Sequence, residues 1–521
     1  MSAALPLSPA SGADSTLASE VVNFSAARFA FRQLETFLTS EQANLDTEAD
    51  VEEQILGRGR EVLRLLLEAH LRQRGTGDVG PAIRVFSPPP DAGSDAAPGQ
   101  PAAVRHGQRR PHEMTLRTTL GEVTVRRTAY AAVGRASVHP LDERLRLPGR
   151  SFSHPLQERL VRSAVRGPFG EAVADLRRDT GVELSKRSAQ QIVAEAAVDF
   201  DAFYAQRQAA ARPEQTGDVV VGAIDCKGVP MIRPEQTLRK PRLKRGDKRH
   251  KKRLATVATV RTQRRRVRTP EEVTDSLFRT EPKEEQARAR QKPPQPPEHK
   301  RVWADLLASK DEVIASVAEE VKRVDPRGVK THVALCDGER ALQKRIVPAL
   351  LGVVPAVTLI LDLLHALERL WQAAHCLFEE GSEEATGWMK GQTLRVLRGE
   401  VSQVIKGMRC SATKRGLSGQ KRARLDEAAA YLWKNRGNMK YDEYLAAGLP
   451  IASGCVEGAC KNLIKDRMER SGMRWGLSGG QAMIRLRSLH LSGDLDEYWD
   501  FHQEQQRLRL YPPGRWEVVQ E

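Results

Sequence analysis

No apolar run reaches the ~18 residues that a membrane-spanning helix needs, and the opening "MSAALPLSPASGADS" has neither a basic start nor a long apolar core. Membrane insertion and secretion are therefore not indicated, and a cytoplasmic location is the expectation. Cysteine is scarce, six in 521 residues. No two stand as C-x-x-C, which excludes a ribbon-type zinc site and leaves no disulfide framework. "GLSGQKRAR" lacks the glycine spacing of a phosphate-binding loop, so ATP dependence has no support. Acid is in deficit: the net charge is +16 and the pI about 9.7. That balance suits a polyanionic partner such as nucleic acid, though it says nothing about fold.

The length allows about three domains. Residues 1–74 read as a helical N-terminal region with helices near 24–40 and 48–73. The second carries Val51, Ile55, Val62, Leu63, Leu66, Leu67 and Leu71 at mixed three and four spacing, as an amphipathic helix packed on its own domain or as a dimer helix. Residues 75–112 are rich in Pro, Gly and Ala and read as a linker or flexible loop. Residues 113–215 form the expected DNA-binding region. In it "EMTLRTTLGEVTVRRTAY" alternates about Gly121 as a hairpin does. Residues 169–200 then hold two short helical patterns, with Gly181 at the stop of the first and Ser185 or Ser188 to cap the second. Read as a helix-turn-helix, this segment puts Lys186, Arg187, Gln190 and Gln191 in the first turns of a recognition helix; read plainly, it is a helical hairpin with a polar face.

From 216 to 495 strand patterns alternate with helical ones, which predicts an α/β domain around a mixed sheet. Candidate strands are "VVVGAI" at 219–224, "LATVATV" at 254–260, "THVALC" at 331–336 and "AVTLIL" at 356–361. Asp225 ends the first before a glycine turn, and Asp337 ends the third. For Asp337 an ordinary Asp-Gly turn is a full alternative. Asp225 is harder to dismiss, because a carboxylate beside a buried apolar run must be hydrogen-bonded, paired or metal-bound. A helix over 454–470 puts Glu457 in its first turn, where the helix N-terminus and Lys461 alone would justify an acid. Three carboxylates aimed at one point would have raised pKa values unless a hard divalent cation, Mg²⁺ or Mn²⁺, held them. Two such ions suit in-line displacement at a phosphodiester.

The order Asp225, Asp337, Glu457, in "AIDCKGVPM", "LCDGERALQ" and "YLAAGLPIASGCVEGACKNLIKDRMERSGMRW", resembles bacterial insertion-sequence transposases of the ISKra group. These belong to the DDE superfamily and are related to Mutator-like elements. The resemblance spans about 110–513 and takes in "TLGEVTVRRTAY", "VHPLDERLRLP" and "YWDFHQEQQRLRLYP". It implies an RNase H-like catalytic domain, a mixed five-stranded sheet with flanking helices, interrupted by a helical insertion at 380–450. It implies that Asp225, Asp337 and Glu457 are catalytic and ligate two Mg²⁺ ions. The partners implied are double-stranded DNA, at the element's terminal inverted repeats and its target, and further copies of the chain in a dimer or larger assembly; the location implied is the nucleoid. Asp362 and His365 in "LDLLHALERLW" match the D-x-x-H pattern of the wider superfamily as auxiliary residues, although a helix N-cap and a packed histidine account for them equally.

The run 238–268, the start of an insertion over 238–300, is basic at about half its positions. It predicts phosphate contacts by Lys244, Arg245, Lys248, Arg249, Lys251, Lys252 and Arg253. Arg470 and Arg474, beside the Glu457 motif, are also assigned to DNA. Residues 281–300 read as a mobile loop and 496–521 as a C-terminal tail. Cys226, Cys336 and Cys455 lie within two residues of the three acids but lack chelating spacing, and read as small buried fillers.

Overall fold

The computed structural model describes residues 23–86, 103–108, 111–209, 216–232, 252–278 and 297–519. In chain order it begins with α1 (Ser25–Leu38), α2 (Glu41–Leu45), α3 (Glu48–Gln73), β1 (Ala82–Val85), β2 (Ala103–Gly107), β3 (His112–Thr118), β4 (Gly121–Arg127), β5 (Tyr130–Ala132), β6 (Arg135–Val138), α4 (Pro140–Leu145), α5 (His154–Ala164), α6 (Phe169–Thr180), α7 (Lys186–Ala196) and α8 (Phe200–Ala209). It continues with β7 (Val219–Pro230), β8 (Lys252–Gln263), α9 (Pro270–Leu277), β9 (His299–Asp305), α10 (Lys310–Val324), β10 (Thr331–Cys336), α11 (Arg340–Leu351), β11 (Thr358–Leu361) and α12 (Leu363–Leu377). Then come α13 (Glu383–Leu397), α14 (Val401–Lys414), α15 (Gly419–Asn435), α16 (Tyr441–Ala446), α17 (Gly454–Ala459), α18 (Asp466–Met468), α19 (Leu477–Ser492), α20 (Leu495–Leu510) and β12 (Trp516–Val518). Two compact units emerge: Met1–Leu160 with Val173–Leu184 and Gln503–Glu521, and Val161–Ala172 with Ser185–His502.

In the first unit α3 starts on a capping box, Thr47 with Asp50, which satisfies two of the helix's orphan amides. Leu67 and Leu71 of α3 pack on a core of Leu116, Val123, Val125, Leu141 and Leu147, which gives the helix its own-domain role. Ile55, Leu63 and Leu66 stay exposed. The hairpin β3–β4 turns at Gly121, whose φ of 121° lies in glycine territory. Two expectations need correction. The 75–112 segment contains β1 and β2, and the expected tail forms α20 and β12; together they build a sheet ordered β12-β1-β2-β5-β6. Ile83 and Tyr130 are fully buried in it, and the Tyr130 hydroxyl accepts from Val79 N at 2.8 Å and donates to Gly80 O at 2.9 Å. Strands of three to five residues set among Pro and Gly carry too little alternation to stand out in a sequence.

The second unit is built on a mixed five-stranded sheet ordered β11-β10-β7-β8-β9. β7, β8 and β9 are antiparallel neighbours, while β10 and β11 run parallel to β7. Residues 219–224 and 255–262 are buried without alternation, as strands covered on both faces must be. Side chains alternate along β7, so Gly222 and Asp225 look to opposite faces. Gly222 faces Val317 of α10, and Asp225 takes the thiol of Cys460, in the π-helical turn after α17.

Two more corrections arise here. β7 does not end at Asp225: it continues to Pro230, with Asp225 level with Val257 and Gly228 level with Leu254. Burial falls off there because β10 pairs with β7 only as far as Ala223, leaving β8 as the neighbour. The supposed basic insertion is not one piece, since 252–263 is a central strand and 299–305, partly assigned to the loop, is the fifth strand. Residues 380–450, expected as a helical insertion, carry α13 to α16.

Candidate active site

The ladders that join β7, β10 and β11 fix the height of three acids. β10 pairs with β7 through Leu335 and Ala223, and with β11 through Cys336 and Leu361. Carried two residues and one residue further, the same registers put Asp337 level with Asp225 and with Asp362. The three aspartates therefore share one level on adjacent parallel strands: Asp337 and Asp362 just beyond the ends of β10 and β11, and Asp225 within β7, past the last residue that β10 pairs.

Each is held differently. Asp225 Oδ1 accepts from the Cys226 amide at 2.6 Å and Oδ2 from the Cys460 thiol at 3.2 Å, a weak donor. Asp337 Oδ1 accepts from Glu339 N at 2.9 Å, and its carbonyl takes the Tyr431 hydroxyl from α15. The next residue, Gly338, has φ 87°, and a Cβ there would collide with that same hydroxyl. Asp362 is 1% exposed. Oδ1 accepts from Leu364 N at 3.2 Å, which caps α12, and from Ser453 N at 3.1 Å. Oδ2 accepts from His365 Nδ1 at 2.9 Å and from the Ser453 hydroxyl.

The Ser453 bonds explain how Glu457 is placed. Ser453 is the N-cap residue of α17, and its carbonyl accepts from the amides of Val456 and Glu457. Asp362 thus ties the end of β11 to the first turn of the helix that carries Glu457. It is an N-cap, as the plain reading had it, and also a positioning residue for α17. Asp362, His365 and Glu457 offer ligand atoms within 4.8 Å of one another. Asp225 and Asp337 lie outside that cluster. They remain electrostatically coupled to it: burial first, then Asp362, Glu368 and Asp225, push the Glu457 carboxyl up, against the pull of His365. The hydrogen bond to Asp362, reinforced by the charges of Asp362, Glu368 and Asp337, raises His365 to about 9, so the imidazole is cationic at neutral pH.

Cys336 is buried, with its thiol pushed to about 12 by burial and by Asp337. Cys226 and Cys455 are only half-buried, so the filler reading holds fully for Cys336 alone. Among the described residues, the candidate metal cluster contains no cysteine.

The residues assigned to DNA divide into several groups. Lys186, Arg187 and Gln190 are exposed in the first turns of α7, whose N-cap is Ser185, accepting from Ser188 N at 3.0 Å. Arg470 and Arg474 are exposed just beyond α18. Lys252 and Arg253 are exposed but engaged, Lys252 with Glu469 at 2.9 Å and Arg253 with the Leu306 carbonyl at 2.7 Å. Further along the run, Arg261 is buried, Arg264 pairs with Glu298 and Arg265 with Asp218, so this part serves the fold. Lys244, Arg245, Lys248, Arg249 and Lys251 lie outside the described residues. Sequence reasoning missed Ser453, Tyr431 and Cys460 as supports of the acids; only the turn signal "IASG" pointed near one of them.

A family model described as an uncharacterised protein family, UPF0236, matches residues 102–245, less than half of the chain. No curated protein matches it. Among solved structures, a Drosophila P element transposase strand transfer complex is similar at 12% identity over 67% of this chain and 80% of that one, with a TM-score of 0.23. No helix among the described residues is long and apolar enough to cross a membrane.

Proposed function

We propose that the chain is a DNA transposase of the DDE kind, which cuts phosphodiester bonds at the ends of its element and joins the freed 3′ hydroxyls to target DNA. The observation that carries this reading is the common level of Asp225, Asp337 and Asp362 on three adjacent strands, with Glu457 electrostatically coupled to Asp225 and to Asp362. The five-stranded mixed sheet, flanked by helices and followed by a helical insertion, supports an RNase H-like assignment of the catalytic domain.

By chemistry, the donors suit a hard divalent cation in two respects. The ligand atoms of Asp225, Asp337 and Glu457 are all carboxylate oxygens, and a cation would offset the burial and like charges that push the Glu457 carboxyl up. Asp225, Asp337 and Glu457 would hold two Mg²⁺ ions, with Mn²⁺ as substitute, and such ions supply an activated water or hydroxyl and neutralise charge at the phosphate. The His365 imidazolium is the resident positive charge near Glu457, and it holds Asp362 ionised. Asp362, through Ser453, keeps Glu457 facing the strand ends. The exposed Lys186, Arg187, Arg470 and Arg474 would take DNA phosphates, and pairing of two element ends calls for a dimer or larger assembly.

The test is cleavage and strand transfer on DNA carrying the element's end, with Mg²⁺ or Ca²⁺. Wild type should join strands with Mg²⁺, and Asp225→Ala or Glu457→Ala should lower that rate by at least about 1,000-fold while DNA binding persists. Cleavage without joining would make the chain a nuclease or resolvase; binding without cleavage would make it a transposase-derived DNA-binding protein. Activity untouched by either substitution would show that the active site lies elsewhere.

A further inference from the structure

The first unit holds a second feature, unrelated to the carboxylates. A cleft of about 570 Å³ is lined by four arginines, Arg105, Arg135, Arg509 and Arg515, together with Phe86 and Tyr511, and no acid is among its described lining residues. Arg105 rises from β2, Arg135 opens β6, and Arg509 and Arg515 flank the passage from α20 to β12. Arg105 is only 9% exposed. One of its terminal nitrogens donates to the Ala136 carbonyl, while its Nε is buried without a partner.

Burial, and then the facing charges of Arg515 and Arg135, depress the Arg105 pKa, as expected where like charges converge. Among the described residues, three carboxylates of this unit have cationic or indole partners of their own, although Asp142 also feels the charge of Arg515. Asp142 is paired with Arg127, and Glu143 accepts from the Trp516 indole at 2.8 Å. Glu517 pairs with Arg84 at 2.7 Å. A buried guanidinium with an unused donor, in a cleft of arginines, is suited to planar recognition of an oxyanion. The aromatic and proline walls leave room for whatever carries that anion.

We infer that this cleft is a phosphate-binding site, built from β2, β6 and the segment around Arg509 and Arg515, that receives the phosphodiester of a nucleic-acid strand. The chain's net charge of +16 favours a strand over a free phosphate, although both present the same chemistry. The inference does not rest on the catalytic proposal, since a chain inert in cleavage would bind here equally well.

The test uses the full-length protein, a labelled duplex oligonucleotide read by fluorescence anisotropy, and inorganic phosphate read by thermal shift. Arg135 is exposed, so Arg135→Gln should fold; Arg105→Gln is the more severe variant. Either should weaken oligonucleotide binding about tenfold and reduce its salt slope by about one, the signature of a lost phosphate contact. Phosphate should raise the wild-type Tm and have less effect on either variant. A changed phosphate response with an unchanged oligonucleotide affinity would keep the site but assign it to free phosphate. If Arg135→Gln, and Arg105→Gln where it folds, leave both responses at wild-type level, the inference is wrong.

Discussion

Asp362 shows how one buried side chain can serve two elements: it caps α12 and holds the start of α17 through both polar groups of Ser453. Asp362→Asn cannot accept from both donors with the same charge. It should therefore lower strand-transfer activity about 10- to 100-fold, the usual effect of removing an outer-shell partner, while circular dichroism stays native. Unchanged activity would remove its positioning role. His139 offers a separate readout. Burial, then the charge of Arg127, pushes its imidazole down to about 4, against the Thr128 carbonyl that bonds its Nδ1. Its folded pKa lies below its unfolded value near 6.5, so the folded state binds fewer protons in between. Stability should be full above about pH 6.5 and fall as the pH drops toward about 4; His139→Gln should flatten that slope in denaturant melts. At this scale the placement of Asp225, Asp337 and Asp362 beside strands was legible in the sequence, because a carboxylate at the end of an apolar run is conspicuous. Ser453, Tyr431 and Cys460 were not, since each meets its acid only through contacts distant in sequence.

The elements of the second unit depend on one buried charge cluster. Glu320 of α10 has no exposed side-chain surface and bonds His299 at 3.0 Å and Arg301 at 2.8 Å, both on β9, and it also pairs with Arg323. Arg301 in turn lies 3.5 Å from the centroid of the Tyr204 ring. Burial alone would raise the Glu320 carboxyl, but the His299 hydrogen bond and the charges of Arg301 and Arg323 hold it well below the usual carboxylate range. Its contribution therefore persists at neutral pH and is lost only in strong acid. Glu320→Gln leaves buried guanidinium groups uncompensated and should cost about 3–5 kcal/mol in an equilibrium unfolding experiment. Gly338→Ala is a second test, because left-handed backbone and the Tyr431 hydroxyl both oppose a methyl group at that turn. The four strands expected from their apolar runs all formed. β9 went unnoticed because "HKRVWAD" begins with charge in a Pro-rich setting, and β7 outran its apolar stretch because β8 alone carries its second half.

For the molecule as a whole, an excess of positive charge should appear as strong salt dependence of DNA binding, with affinity falling steeply as ionic strength rises. A binding constant indifferent to salt would argue against phosphate contacts as its main source. The segment read as a helix-turn-helix or a plain helical hairpin forms two helices, α6 and α7, with Gly181 at φ 72° between them. What sequence reading lost most completely was the long-range closure of the first unit: β12 pairs with β1 through Ile83–Val518, Arg84–Glu517 and Val85–Trp516. Tyr511 reinforces it by donating to the Leu147 carbonyl at 2.8 Å. Deleting residues 511–519 should release β1 edge amides to hydrogen exchange and lower the Tm of this unit while leaving the carboxylate-bearing sheet folded.

That closure also sets a timetable for synthesis. On the ribosome, β1 emerges hundreds of residues before the strand that completes its sheet, and the arginine cleft lacks one wall until residues 509–515 have followed. A nascent or prematurely terminated chain would therefore carry the carboxylates without the finished cleft, so the two features are completed at different stages of synthesis.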